Sequence, residues 1–164
     1  MSDRFQVRVE GIRFAAGHFA TYRGGCEPLH GHSYEVAVEA RGTLAADAWV
    51  FDFTELKGIA RSVCGELDHK FLLQRDSPVL AIVDGDANWK IRTPAGIGYV
   101  LPVSDVVALP IDNTTAERLA EWFGGRLWQW LGDRGASNLQ ALTVEVWEGP
   151  GQRGAHRVER LPQA

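Results

Sequence analysis

Two alternating segments on either side of a histidine cluster constrain this chain more than any other feature. In the first, Phe5, Val7 and Val9 alternate with Arg4, Gln6 and Arg8, the period-two signature of a half-buried strand. In the second, Tyr34, Val36, Val38 and Ala40 share one face while Glu35, Glu39 and Arg41 share the other. We place strands over residues 4–16 and 32–43 as a long hairpin, with Gly11 marking a bulge in the first. Between them lies His18-x₁₁-His30-Gly31-His32. His30 and His32 project to one face of a strand, because side chains alternate, and His18 closes the preceding strand. Three neutral imidazoles suit Zn²⁺ and leave its fourth tetrahedral position open for a substrate oxygen. The plain alternative is a polar His-Gly-His turn with His18 at the surface. Cys26, carried by the loop Thr21-Tyr22-Arg23-Gly24-Gly25, adds a thiol for proton transfer. Beside zinc and an imidazole its pKa is expected to be lowered.

At 164 residues the chain fits one domain, 1–164, with a sizeable core. Its 17 Lys and Arg against 21 Asp and Glu give a net charge of −4, which argues against nucleic acid as the main partner. Local basic clusters for a phosphorylated ligand stay open. Cys26 and Cys64 are the only cysteines, more consistent with reduced thiols than with a disulfide framework. No apolar run approaches a membrane span, and the alternating N-terminus reads as a strand and not a signal peptide. The expected compartment is the cytoplasm.

Further along, Thr54 suits a helix N-cap with Glu55 in the first turn. Leu56, Ile59, Ala60, Val63 and Leu67 follow at helical spacing, with Cys64 a small core residue. Apolar runs at 79–83 and 99–103, with turn signals at Asp84-Gly85-Asp86 and Pro94-Ala95-Gly96, predict an inserted β element or lid over about 74–110. A second helix starts at Asn113-Thr114-Thr115, capped by either threonine. It buries Leu119, Trp122, Phe123, Leu127 and Trp130 and ends at Gly132 or Gly135. Strands at 139–147 and about 156–160 close the chain. The pattern predicts an α+β fold with both helices on one face of an antiparallel sheet.

The ordered set of short motifs resembles one known family. Its pieces are Phe14-Ala15-Ala16-Gly17-His18, Cys26-x₃-His30-Gly31-His32-Ser33-Tyr34, Val50-Phe51-Asp52-Phe53-x-x-Leu56-Lys57, Leu67-Asp68-His69, Thr114-Thr115-x-Glu117 and Val144-x-Val146-Trp147-Glu148. They are similar to the 6-pyruvoyltetrahydropterin synthase family, which includes 6-carboxytetrahydropterin synthases. The resemblance implies a tunnelling fold (T-fold): a four-stranded antiparallel sheet with two helices, assembled as a homohexamer, a dimer of trimers, with active sites between subunits. It implies Zn²⁺ on His18, His30 and His32, Cys26 as catalytic thiol, and Asp68 with His69 as the other acid–base pair. Adjacent strand residues point apart, so that pair requires a local bend or an intersubunit geometry. It implies Glu148 as pterin anchor, since a carboxylate can accept two parallel hydrogen bonds from the guanidine-like ring edge. Thr114 and Thr115 are implied as ring contacts, though both also suit helix caps, and Asp52 is assigned to structure, either holding a loop or capping the first helix.

Three departures stand out. Arg118 replaces a common asparagine, the 74–109 segment is longer than the family's usual link, and Glu27 directly follows Cys26. Cys-Glu-x-x-His-Gly-His resembles a subgroup that carries both the thiol of the carboxytetrahydropterin branch and the glutamate of a folate-making branch. The implied activity is a zinc-dependent lyase converting 7,8-dihydroneopterin triphosphate to 6-carboxy-5,6,7,8-tetrahydropterin, with acetaldehyde and triphosphate released, towards queuosine. Alternatives are 6-pyruvoyltetrahydropterin formation, folate-type cleavage to a hydroxymethyl-dihydropterin, or a pterin-binding module without catalysis.

Overall fold

The computed structural model describes residues 5–160. Strand β1 (Phe5–His18) is followed by the short strands β2 (Thr21–Tyr22) and β3 (Gly25–Cys26), then β4 (His30–Gly42). Helix α1 (Phe53–Leu67) leads into β5 (Lys70–Gln74), β6 (Ala81–Val83), β7 (Asn88–Arg92), β8 (Gly98–Pro102) and β9 (Val106–Leu109). Helix α2 (Ala116–Asp133), β10 (Leu139–Gly149) and β11 (Gln152–Glu159) complete the chain. The expected hairpin is present as β1 against β4, with the register slipping by one residue between Val9 and Ile12. Gly11 takes φ +71° there, the left-handed backbone that a glycine bulge requires. The first residue of the expected strand, Arg4, lies outside the described residues.

The main sheet has the order β11-β10-β4-β1-β5-β9. Its first four strands are antiparallel neighbours, as expected. Beyond β1 the sheet is mixed, because β5 and then β9 add in parallel. Helix α1 returns the chain alongside β1, and a crossover helix is what a parallel neighbour needs.

Both helices cover one face. From α1, Leu56, Ile59, Ala60, Val63, Cys64 and Leu67 are buried, and from α2 Leu119, Phe123, Leu127 and Leu131. They meet Phe14, Tyr34, Val36, Val38, Val144 and Val146 from the sheet. Each fully buried side chain of this size contributes about 1.5–3 kcal/mol. Gly154 of β11 admits the start of α2 so closely that a Cβ there would run into the backbone of Ala116 and Glu117. This contact fixes how closely the start of α2 lies on β11.

Several local expectations change. Asp52, not Thr54, caps α1, its carboxylate accepting from Glu55 N at 2.7 Å. Phe53 is already helical, so Thr54 sits inside the first turn. Thr115 caps α2. Gly132 lies within α2, and Gly135 at φ +70° follows its end. Trp122 and Trp130 are only partly buried at the core's edge. The 21–25 segment is a tight hairpin, not a flexible loop: Thr21 pairs Cys26 and Tyr22 pairs Gly25. Arg23 and Gly24 both take positive φ at its turn, the geometry that matches strand twist.

The insertion forms the three-stranded sheet β6-β7-β8. Alternation along β5 decides where it docks. Leu72 joins the helix-side core, whereas Phe71 and Leu73 join Phe19, Leu80, Trp89 and Ile91 in a second core. Cys26 and Tyr99 pack on that second core too.

Candidate metal centre and active site

The β1–β4 register brings the three histidines together. His18 pairs with His30 across the two strands, and His32 pairs with Ala16 one step further in. The rings form a triangle, with centroids 4.6 Å apart for His18 and His30, 5.1 Å for His18 and His32, and 4.9 Å for His30 and His32. One ligand nitrogen from each falls within 4.8 Å of the other two. Below them lies Tyr34, wholly buried, its ring 5.4 Å from His32.

Hydrogen bonds set which nitrogen faces inward. His30 Nδ1 donates to Pro28 O at 2.8 Å, and His18 Nδ1 lies 3.1 Å from Thr114 O. A carbonyl only accepts, so both rings carry their proton on Nδ1 and present Nε2 as a lone pair. The Nε2 atoms of His18 and His32 are buried with no partner among the described residues. Buried polar atoms are seldom left unpaired, and two orphaned imidazole nitrogens in a cluster of three ligand atoms within 4.8 Å fit a bound metal ion. Burial first, then the charges of His30 and His32, pull the His18 pKa down to about 4. His18 is therefore neutral at pH 7, the form a metal needs.

Cys26 ends the small hairpin, and Glu27 follows it. Glu27 N donates to Ala20 O at 3.0 Å, and the Glu27 carboxylate accepts from Ala20 N at 3.4 Å. The Cys26 thiol donates to Glu27 O at 3.4 Å. Burial, and next the Glu27 charge, push the thiol up from its ordinary value. The protein's own groups thus oppose the lowered value expected from the sequence, because the negative neighbour and the apolar second core both disfavour a thiolate.

Glu148, near the end of β10, has no lysine or arginine partner among the described residues. Burial is the largest influence on it and raises its carboxyl, His32 opposes this, and Glu27 adds to it. Burial, then the charges of Glu148 and Glu27, likewise raise the Tyr34 phenol. Glu148, Glu27 and the histidines therefore share one electrostatic neighbourhood.

Thr114 and Thr115 both serve structure. Thr115 caps α2, while Thr114 is fully buried, with its hydroxyl near His18, Phe19 and Gln74. Asp68 caps the C-terminus of α1 and accepts from Ala15 N at 2.8 Å. That hydrogen bond is the main reason its carboxyl lies below the usual range, with His69 assisting. His69 takes φ +58° and its ring is largely exposed, 2.9 Å from Asp68. The bend demanded by the sequence reading is thus present. Gln74, missed by that reading, ends the run Phe71-Leu72-Leu73 wholly buried; a polar residue closing an apolar run was the available signal.

The family model for 6-pyruvoyl tetrahydropterin synthase matches residues 6–159. A Methanocaldococcus jannaschii protein assigned as a 6-carboxy-5,6,7,8-tetrahydropterin synthase is 36% identical over 150 residues, covering 90% of each chain. The 6-carboxy-5,6,7,8-tetrahydropterin synthase of Haemophilus influenzae is 29% identical, covering 77% of this chain and 80% of its own. Among solved structures, a catalytic-residue variant (glutamate to alanine) of Plasmodium vivax 6-pyruvoyltetrahydropterin synthase superposes with a TM-score of 0.89 at 31% identity. That match covers 95% of this chain and 98% of the other.

Proposed function

This chain belongs to the 6-pyruvoyl tetrahydropterin synthase family, and from that premise we propose that it is a zinc-dependent 6-carboxy-5,6,7,8-tetrahydropterin synthase. Its substrate would be 7,8-dihydroneopterin triphosphate and its other products acetaldehyde and triphosphate, on a route to queuosine. The observation that carries this reading is the convergence of His18, His30 and His32 within 4.8 Å, two of their nitrogens buried and unpartnered.

Zinc held by these three residues would supply Lewis acidity to the hydroxyls of the pterin side chain. The other roles fall to the protein. Glu148, free of any counter-cation among the described residues, accepts from the donor edge of the pterin. Thr115, whose hydroxyl caps α2, offers its backbone to the ring, while Thr114, wholly buried with its N–H, carbonyl and hydroxyl engaged within the protein, acts from behind it. Cys26 takes up and returns a proton at the side-chain carbons, and the Asp68–His69 pair is the second acid–base group. A homohexamer, a dimer of trimers, would pair the free edges of β11 and β9, which are otherwise unprotected.

A second reading rests on Glu27. Its carboxylate shares the neighbourhood of Glu148 and Tyr34, and the variant residue of the Plasmodium vivax neighbour is a catalytic glutamate. On this reading Glu27 directs cleavage to 6-hydroxymethyl-dihydropterin. Incubation of the zinc-loaded protein with dihydroneopterin triphosphate and identification of the released pterin tests both. The carboxytetrahydropterin supports the first reading, the hydroxymethyl compound the second, and a pyruvoyl product would overturn both. Tight pterin binding without turnover would make the protein a binding module.

A further inference from the structure

We propose that Gln74 is a positioning residue for the metal centre, anchoring Thr114 by its hydroxyl so that the Thr114 carbonyl holds the His18 ring with Nε2 facing the other histidines. The proposal rests on the metal reading of the three histidines. His18 closes β1, Thr114 precedes α2 and Gln74 ends β5, so the contact joins three separated parts of the chain.

The distances define the network. His18 Nδ1 lies 3.1 Å from Thr114 O and 3.2 Å from Thr114 Oγ1. Thr114 Oγ1 lies 3.1 Å from Phe19 O and 3.1 Å from Gln74 Oε1. A hydroxyl has one proton to donate, and here two oxygens stand within reach of it. The Gln74 amide resolves the competition. Its Nε2 is buried with no partner among the described residues, and the two ends of an amide are interchangeable by a half-turn. Turned so, Nε2 donates to Thr114 Oγ1, the hydroxyl donates to Phe19 O, and His18 Nδ1–H donates to Thr114 O. The hydroxyl, the imidazole N–H and one amide N–H then each have an acceptor.

Burial makes the arrangement stiff. His18 is 1% exposed, and Thr114 and Gln74 are wholly buried. Water is not at hand to replace a lost bond, and an amide at the end of an apolar run is costly to bury unless it is bonded. Partners of this kind fix the tautomer and orientation of a ligating imidazole, and their loss typically weakens metal binding by about 10–100-fold. Gln74 also ends β5 where the insertion begins, so the start of that segment is tied to the metal centre.

The test compares zinc affinity, by chelator competition, and the absorption spectrum of the cobalt form in the wild type, Gln74→Leu, Thr114→Val, Thr114→Ser and the Gln74→Leu/Thr114→Val double variant. Gln74→Leu and Thr114→Val should each bind zinc about 10–100-fold more weakly and shift the cobalt bands. Thr114→Ser, which keeps the hydroxyl, should behave as the wild type. The double variant should lose no more than the worse single one, since residues acting as a unit are not additive. A folded Gln74→Leu protein with wild-type affinity and spectrum overturns the proposal. Should that variant fail to fold, nitrogen NMR of the wild-type zinc form decides: metal on His18 Nε2 with a proton on Nδ1 supports the proposal, and metal on Nδ1 refutes it. A wild type that binds no zinc overturns the metal reading itself, and the proposal with it.

Discussion

Asp68 and His69 are consecutive residues whose side chains meet, His69 Nδ1 lying 2.9 Å from an Asp68 carboxylate oxygen. On an extended strand they would point to opposite sides. The left-handed backbone of His69, φ +58°, turns its ring back onto its predecessor, and Ala15 N anchors the carboxylate at 2.8 Å. The imidazole, mostly exposed on one chain, is thus presented outward, as a group serving a neighbouring subunit would be.

A subunit-mixing experiment follows. Cys26→Ala and His69→Ala should each form almost no carboxytetrahydropterin alone. Refolded together, they should regain a fraction of wild-type turnover, because some sites would combine an intact Cys26 with an intact His69. Mixed assemblies as inactive as the parents would place both groups in the same chain's site.

The adjacent Cys26 and Glu27 predict a split in products. Cys26→Ala should abolish the carboxytetrahydropterin while sparing some hydroxymethyl-dihydropterin, and Glu27→Ala should do the reverse. Chromatography of the pterins after fixed incubation reads both, and an unchanged profile for Glu27→Ala removes Glu27 from the chemistry.

Glu148 should anchor the pterin by its charge. Glu148→Gln preserves shape and half of the accepting capacity, so pterin affinity should fall by about 1–3 kcal/mol. Calorimetric titration with a non-hydrolysable pterin checks this, with equal affinity as the contrary outcome.

The second core should control access to the thiol. Tyr99 of the insertion packs 5.3 Å from the Phe19 ring, and Cys26 packs on the same second core. Tyr99→Ala should open that core, with a stability loss below the roughly 3–5 kcal/mol of a fully buried aromatic, and should speed alkylation of Cys26 by iodoacetamide severalfold. Tyr99→Phe should restore the slow rate, since the ring makes the contact. Equal alkylation rates in all three proteins would separate the insertion from the thiol.

Stability of the metal-free protein should depend on His18. Burial draws its folded pKa down to about 4 from the ordinary 6.5, so below pH 6.5 the unfolded chain binds a proton that the folded chain refuses. Stability is therefore lost as pH falls from about 6.5 towards 4, and is complete above that window. Urea midpoints measured from pH 7 to pH 4 should decline more steeply in the wild type than in His18→Gln.

The histidine set, the first hairpin and the apolar faces of both helices were legible because each depends on local periodicity. Phe14, Tyr34 and Val36 announce their face by alternation, and Leu56, Ile59 and Val63 by helical spacing. The parallel addition of β5 was not legible: Lys70 and Phe71 carry no mark of pairing with Ala16 and Gly17. Nor was the cap, since Asp52 and Thr54 both satisfy the chemistry and the first helical residue decides between them.

The sequence by itself determined where the three imidazoles, the thiol and the carboxylates lie along the chain, and which strand face His30 and His32 share, since alternation is a property of the covalent chain. Only the tertiary structure decided which nitrogen each histidine turns inward, that Asp68 and His69 meet, and that Gln74 lies behind Thr114. The His18 tautomer, the anchoring of Asp68 and the Thr114–Gln74 contact depend on burial and on partners 40 to 96 residues away, and a hydrogen bond between distant parts of the chain leaves no periodic trace in either.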